Sequence, residues 1–335
     1  MYSPYRPPVD RHPSRAAERT ETPPPPRGWL TGLCPSVFPP RFVMMAGSFA
    51  ACWCIGPMTT GAGPVGFRLE GRWLVDIAPI YTSDNCKFAY QLRWSLTLFW
   101  RSPPTSDEWL STLRSATKAD GIRILQHRFG RNDCSLFLVS TRPDVAPSKI
   151  LWSVKGRLQH LLGNQTSRAF QRNYDLQSIG STRGEKVETY VAAQLKQHPP
   201  ANHRMLGLFD DLQIVNPEVD LLQPRFTAHG RFVCNLHLVF VHDGRWDETR
   251  KEVWVAVREM IRKASSSKGH LLSRVGIVSD HLHMTLGTGP DDKPQDVALS
   301  YMNNIAFVHG MKPVFMHGCF MAGFGEYDLG AIRDV

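Results

Sequence analysis

Ser279-Asp280-His281-Leu282-His283-Met284-Thr285-Leu286 reads as an apolar strand interrupted by two histidines one residue apart. Successive side chains on a strand point to opposite faces, so His281 and His283 project together, about 6–7 Å apart. Two imidazoles on one face hold a single divalent metal when other groups complete the shell. A chain with 13 histidines also yields such a pair by chance, one ring in the core and one at the surface. The pair gains weight from its surroundings, because the same order of elements occurs upstream without the histidines.

Around the pair, alternation predicts strands over 232–241, 270–278, 281–287 and 313–320. An amphipathic helix is expected over 246–264, with Val253, Val257, Met260, Ile261 and Ala264 on one side, and a second from Pro294 to about 309. Upstream, strands are expected over 90–100, 122–129, 134–140 and 170–179. Thr105 and Glu108, three apart, form a capping box that opens a helix through Leu110, Leu113 and Ala116, and Pro147 starts another that runs to about 162. Each half reads β-α-β-β-α-β, the split βαβ or ferredoxin-like order. The expected fold is therefore α+β: two tandem ferredoxin-like domains with antiparallel sheets, over 86–196 and 225–335, joined by 197–224.

The halves superpose. Asp133-Cys134-Ser135-Leu136 falls on Asp280-His281-Leu282-His283, an offset of 147 (280 minus 133). Pro147-Ser148-Lys149-Ile150 falls on Pro294-Gln295-Asp296-Val297 at the same offset, and Gly180 on Gly325 at 145. After the first half, Thr182-Arg183-Gly184-Glu185 opens one more helix, ended by Pro199-Pro200. It carries Lys186, Tyr190 and Gln194 at i, i+4 and i+8 on one face. Carried forward by 145, Tyr190 falls on Val335. The first half has the tyrosine helix without the histidine pair, and the second the pair without that helix.

The totals are compatible with a two-domain protein. The chain has 335 residues, 42% of them hydrophobic, and a formal charge of +9, which favours a polyanionic partner. Seven cysteines without a Cys-x-x-Cys spacing argue for a reducing compartment, and no apolar run is long enough to span a bilayer. Residues 1–65, with Pro7-Pro8, prolines 23–26 and Pro39-Pro40, read as a disordered leader. Within it, 42–56 superficially resembles a signal-peptide core, and Met44 or Met45 is an alternative start.

These motifs resemble the single-tyrosine HUH transposases of the insertion-sequence (IS200-like) and REP-associated kinds, over roughly 86–196 and 225–335. His281-Leu282-His283 matches the family's His-hydrophobe-His element, and Tyr190 with Gln194 matches its nucleophile helix. Lys155-Gly156-Arg157 looks like the family's segment after the third strand. The chain departs from the pattern at Cys134-Ser135-Leu136 and at Met284-Thr285. The resemblance implies a dimer with composite sites, here fused into one chain that keeps one site. It implies that His281, His283 and Gln194 bind Mg²⁺ or Mn²⁺, and that Tyr190 attacks a phosphodiester of single-stranded DNA. That step leaves a 5′-phosphotyrosine and a free 3′-OH, which allows rejoining without an external energy source. It further implies hairpin or palindromic DNA ends as partner, a monomeric pseudo-dimer, and a cytoplasmic, nucleoid-associated location.

Charge is unevenly placed. Residues 90–196 carry 16 Lys and Arg against 8 Asp and Glu, whereas 225–335 carry 13 against 12. Arg142, Lys149, Lys155, Arg157, Arg168 and Arg172, with Lys186 on the tyrosine helix, are the candidate contacts to the DNA backbone. Tyr327 is a rival nucleophile, at the turn before the helix expected after the second half, and His237 reads as structural. Two other classes fit the residues. One is a non-catalytic DNA-binding derivative of a transposase. The other is a two-histidine phosphoesterase built on His283-Met284-Thr285, whose second His-x-Ser would be His12-Pro13-Ser14.

Overall fold

The computed structural model describes residues 65–69, 72–131, 133–163, 169–200 and 203–329, with side chains from residue 78 onward. The leader's 42–56 stretch, Met44, Met45 and His12-Pro13-Ser14 lie outside the described residues, as does Arg168. The chain is α+β. After an antiparallel pair, β1 (Val65–Leu69) and β2 (Arg72–Ile77), come β3 (Lys87–Gln91), β4 (Arg93–Trp100), α1 (Leu110–Lys118), β5 (Ile122–Gly130), β6 (Cys134–Thr141), α2 (Pro147–Leu161) and β7 (Phe170–Ile179). Beyond β7 come α3 (Gly184–Ala192), α4 (Gln194–Gln197), α5 (Leu206–Leu212), β8 (Ile214–Val215) and β9 (Arg225–Phe226). The second half has β10 (Gly230–Val233), β11 (Asn235–Val241), α6 (Lys251–Lys268), β12 (Leu271–Val278), β13 (His281–Gly287), α7 (Pro294–Val308) and β14 (Gly318–Gly323).

Two six-stranded sheets result, ordered β5-β6-β4-β7-β10-β9 and β3-β14-β11-β13-β12-β8. The sheets expected to be antiparallel are mixed, because each half's long first strand is shared between them. The strand expected over 90–100 breaks at Leu92, and the one over 232–241 breaks at Cys234, both residues buried. The leading piece β3 then pairs in parallel with β14 of the other half, and β10 pairs in parallel with β7. The exchange is reciprocal, as in a twofold-related pair. Registers repeat as well: Phe99 faces Cys134 where Val241 faces His281, and Leu96 faces Leu176 where Leu238 faces Met321. Even the bulge in β5 between Ile124 and Gln126 recurs in β12 between Leu272 and Arg274.

Each sheet buries one face against its own helices. Trp94, Leu96, Leu98 and Trp100 alternate along β4 into a core shared with Ile150, Val154 and Leu158 of α2. Leu236, Leu238 and Phe240 of β11, with Leu282, Met284 and Leu286 of β13, pack on α6 and α7 through Val257, Ile261, Met302 and Ile305. Every residue of β13 is buried, which requires cover on both faces. That second cover is α3 with α4. The segment 197–224 also contributes to this core, through Phe209 and Leu212 of α5. Tyr81 does likewise: its buried hydroxyl accepts from the amides of Val314 and Phe315.

Three helix starts differ from expectation. No capping box forms at Thr105: the Trp109 indole donates to the Ser106 carbonyl, and α1 begins only at Leu110. The helix expected over 246–264 runs instead from Lys251 to Lys268. Trp246 stacks on His242, and buried Glu248 accepts both the amide and the guanidinium of Arg250, which holds 246–250 extended. The third, at Gly184, has no side-chain cap, and its amide donates to the Gly325 carbonyl.

Near Glu248, the buried His309 ring is pushed down to about 4 by burial, against the opposing pull of Glu248. An unfolded histidine takes its proton near pH 6.5. Between those values the unfolded chain binds more protons, so stability falls as pH drops from about 6.5 to about 4, by up to about 3 kcal/mol. His309→Gln is expected to flatten the urea-melt stability profile in that window; an unchanged slope would assign the acid sensitivity elsewhere.

Candidate active site

The histidine pair stands on the face of β13 turned away from α6 and α7. His281 and His283 are both buried, with ring centroids 5.2 Å apart. Each has one ring nitrogen engaged. His281 Nδ1 lies 2.6 Å from Asp280 Oδ1, and His283 Nδ1 lies 3.0 Å from His237 Nε2. Donation from His281 Nδ1 to the carboxylate leaves its Nε2 lone pair free, the usual arrangement behind a metal-ligating imidazole. His237 takes the corresponding place behind His283, its ring stacked at 5.3 Å.

Electrostatics favour neutral rings at His237 and His283. Burial pushes His237 down to about 4, and holds His283 well below its ordinary value, with neighbouring His237, His281 and His198 adding to the effect. Neutral imidazole is the ligand form. Asp280 behaves oppositely: burial raises its carboxyl, but the hydrogen bond and charge of His281, with Arg245 at 2.8 Å, bring it below the ordinary value.

The tyrosine helix crosses to this face. Val191, Gln194 and Leu195 are buried, and Leu195 belongs to the second half's core. The Tyr190 ring lies 5.5 Å from His283 and 6.3 Å from His237, nearly perpendicular to both, yet Tyr190 is 41% exposed. The ring is therefore open to solvent. With Lys186 and Thr189, Tyr190 lines an open cleft of about 380 Å³.

The helix expected to be continuous breaks at Ala193 (φ −92°, ψ 3°). The break turns Gln194 inward, while Tyr190 stays at the surface. Gln194 Nε2 donates to the Tyr190 carbonyl at 3.1 Å, and its buried Oε1 has no hydrogen-bond partner among the described residues. Gln194 sits over Gly276, the cross-strand neighbour of His283. Two imidazole nitrogens and one orphaned amide oxygen are donors of the kinds that ligate divalent cations. No group of three or more His, Cys, Asp or Glu among the described residues is arranged to hold a metal ion.

Gly276 makes the crossing possible. A Cβ there would lie 2.6 Å from the Val191 carbonyl oxygen and 2.9 Å from Gln194 Cγ. Gly276→Ala is expected to push α3 outward, lowering stability by about 1–3 kcal/mol. A urea melt checks this; a wild-type midpoint would mean that the helix packs elsewhere.

The other candidates are placed apart. Tyr327, half exposed, lies near Arg231, which pairs with Asp175 of the first sheet. Lys149, Lys155 and Arg157 belong to α2, on the helix-covered face of that sheet. Lys155 Nζ donates to the Gln171 carbonyl at 2.7 Å, Arg157 pairs with Asp120, and Arg142 with Asp144. Lys149 and Arg172 are exposed. Cys134, at the place of His281, donates to the Arg131 carbonyl.

Sequence reasoning passed over His198, whose ring lies 5.2 Å from His281, and Asp280 as its partner; it took His237 as structural. Alternation along β11 carried a signal, since His237 falls between Leu236 and Leu238 and so faces away from the core. A scan against protein-family models finds no match for this chain, and neither does a search of curated proteins.

Proposed function

We propose that this protein cleaves and rejoins single-stranded DNA through a phosphotyrosine at Tyr190. We also propose that the chain is a fused pair of ferredoxin-like units, a reading supported by the repeated registers and the reciprocal exchange of β3 and β10. One observation carries the functional reading: Tyr190, from the first half, meets His283 and His237 of the second at 5.5 and 6.3 Å.

The Tyr190 hydroxyl attacks phosphorus, the bond to the 3′-oxygen breaks, and the DNA is left as a 5′-phosphotyrosine with a free 3′-OH. Because the phosphoester is conserved, a second 3′-OH reverses the step. His281, His283 and Gln194 are the residues that would hold Mg²⁺ or Mn²⁺, which supplies charge stabilisation at the phosphate oxygens. Asp280 and His237 fix the orientation of the two imidazoles. Gly276 and the break at Ala193 set the depth at which Gln194 and Tyr190 stand. Hairpin or palindromic ends are the proposed substrate, and a nucleoid location follows from it. No helix among the described residues is long and apolar enough to cross a membrane.

Trapping the covalent adduct on a hairpin-bearing single strand and mapping it by mass spectrometry tests this. Attachment at Tyr190 is expected. Attachment at Tyr327, or DNA binding with no metal-dependent nick, would overturn it, the latter in favour of a non-catalytic binding protein.

A further inference from the structure

The repeated registers locate the counterpart of the candidate site on the first sheet. Arg128 pairs with Leu136 as Gly276 pairs with His283. Ser95 pairs with Leu138 and Gln177 as His237 pairs with Thr285 and Ala322. On the second sheet this place is covered by α3 and α4. On the first it is an open cleft of about 450 Å³, lined by Ser95, Gln126, Arg128, Leu136 and Leu138, with Arg114 from α1.

Loss of the histidines is only part of the difference. Gly276 is needed where the backbone of α3 lies against β12, and the first sheet has an arginine at that position. The Arg128 side chain holds off any helix that would dock as α3 does. The side chains of Arg128 and Gln126 have no hydrogen-bond or ion-pair partner among the described residues, and Arg114 makes one 3.4 Å bond to the Leu125 carbonyl. Two guanidinium groups lining one open cleft, in the half that carries 16 basic against 8 acidic residues, are complementary to phosphate.

We propose that this cleft is a second DNA subsite, which binds a phosphodiester of the single strand at Arg128 and Arg114 without cutting it. The proposal rests on the functional reading above for the identity of the strand. Its role follows from the count of reactive sites: with one nucleophile, a segment that is not reacting must be kept close while the other end is joined.

The experiment uses the full chain and a fluorescein-labelled single-stranded 30-mer in EDTA, read by anisotropy from 50 to 300 mM salt. Arg114→Ala/Arg128→Ala is expected to weaken binding by about tenfold or more and to lower the salt slope by about two. Arg128→Lys is expected to retain most of the affinity, and Lys312→Ala, an exposed basic residue of the second half, to change nothing. Unchanged affinity and slope in the double variant would overturn the proposal, as would equal loss in Lys312→Ala or a preference for RNA of the same sequence. Adduct mapping separates the two readings. A normal adduct at Tyr190 with unaltered binding in the double variant removes the subsite alone; no adduct, with binding still lost, removes the nucleophile and leaves the subsite standing.

Discussion

Tyr190→Phe is expected to abolish strand cleavage, by about 10⁴-fold or more, while leaving single-strand affinity within about twofold. The substitution removes the hydroxyl and keeps the ring, so the approaches of 5.5 Å to His283 and 6.3 Å to His237 survive. The residues that anchor the helix, Val191, Gln194 and Leu195, are untouched. A change in melting temperature is therefore not expected, and any loss is chemical. Tyr327→Phe is the matched control, because Tyr327 lies near Arg231 rather than beside the histidines. It is expected to cleave as wild type. Denaturing gels of an end-labelled hairpin oligonucleotide, scored for cut strand and shifted adduct, provide the measurement. Cleavage lost in Tyr327→Phe and kept in Tyr190→Phe would sink the composite site.

His281→Ala should remove both metal binding and cleavage, the latter by about 10³-fold or more, with DNA affinity nearly preserved. Titration of Mn²⁺ into the full chain gives a readout that does not depend on activity. Asp280→Asn and His237→Leu are expected to be milder, each weakening Mn²⁺ affinity by about 10–100-fold. Asp280 accepts from His281, so its amide substitute still bonds the ring but no longer stabilises the donor. His237→Leu leaves His283 Nδ1 buried without its partner, which adds a stability cost of about 1–3 kcal/mol. Full Mn²⁺ binding by His281→Ala would mean that the histidines are packing residues. Loss of DNA affinity in the same variant, with the fold intact, would make this face a binding surface.

Much of the architecture was readable because it depends on local pattern. Alternation identified β4 through Trp94, Leu96 and Leu98, and Pro147 and Pro294 marked the starts of α2 and α7, where a fixed φ suits the first helical turn. The helix at 246 was misread because Trp246 and Glu248 have good helical spacing but better partners in His242 and Arg250. The strand breaks at Leu92 and Cys234 left no local mark, since both residues are apolar like their neighbours. What stops each strand there is the edge of a second sheet, offered by the other half.

The order of elements and its recurrence in the two halves were legible in the sequence alone, because periodicity and spacing are properties of neighbours along the chain. So was the shared face of His281 and His283, which needs only the two-residue repeat of a strand. Tertiary structure decided the rest. His237 stands behind His283 because β11 and β13 are neighbours in the sheet; 46 residues separate the two in the chain. Gln194 turns inward where Gly276 leaves room for the backbone of α3. Close approach between distant backbones depends on the absence of a single Cβ, and a glycine in a sequence does not say what lies against it.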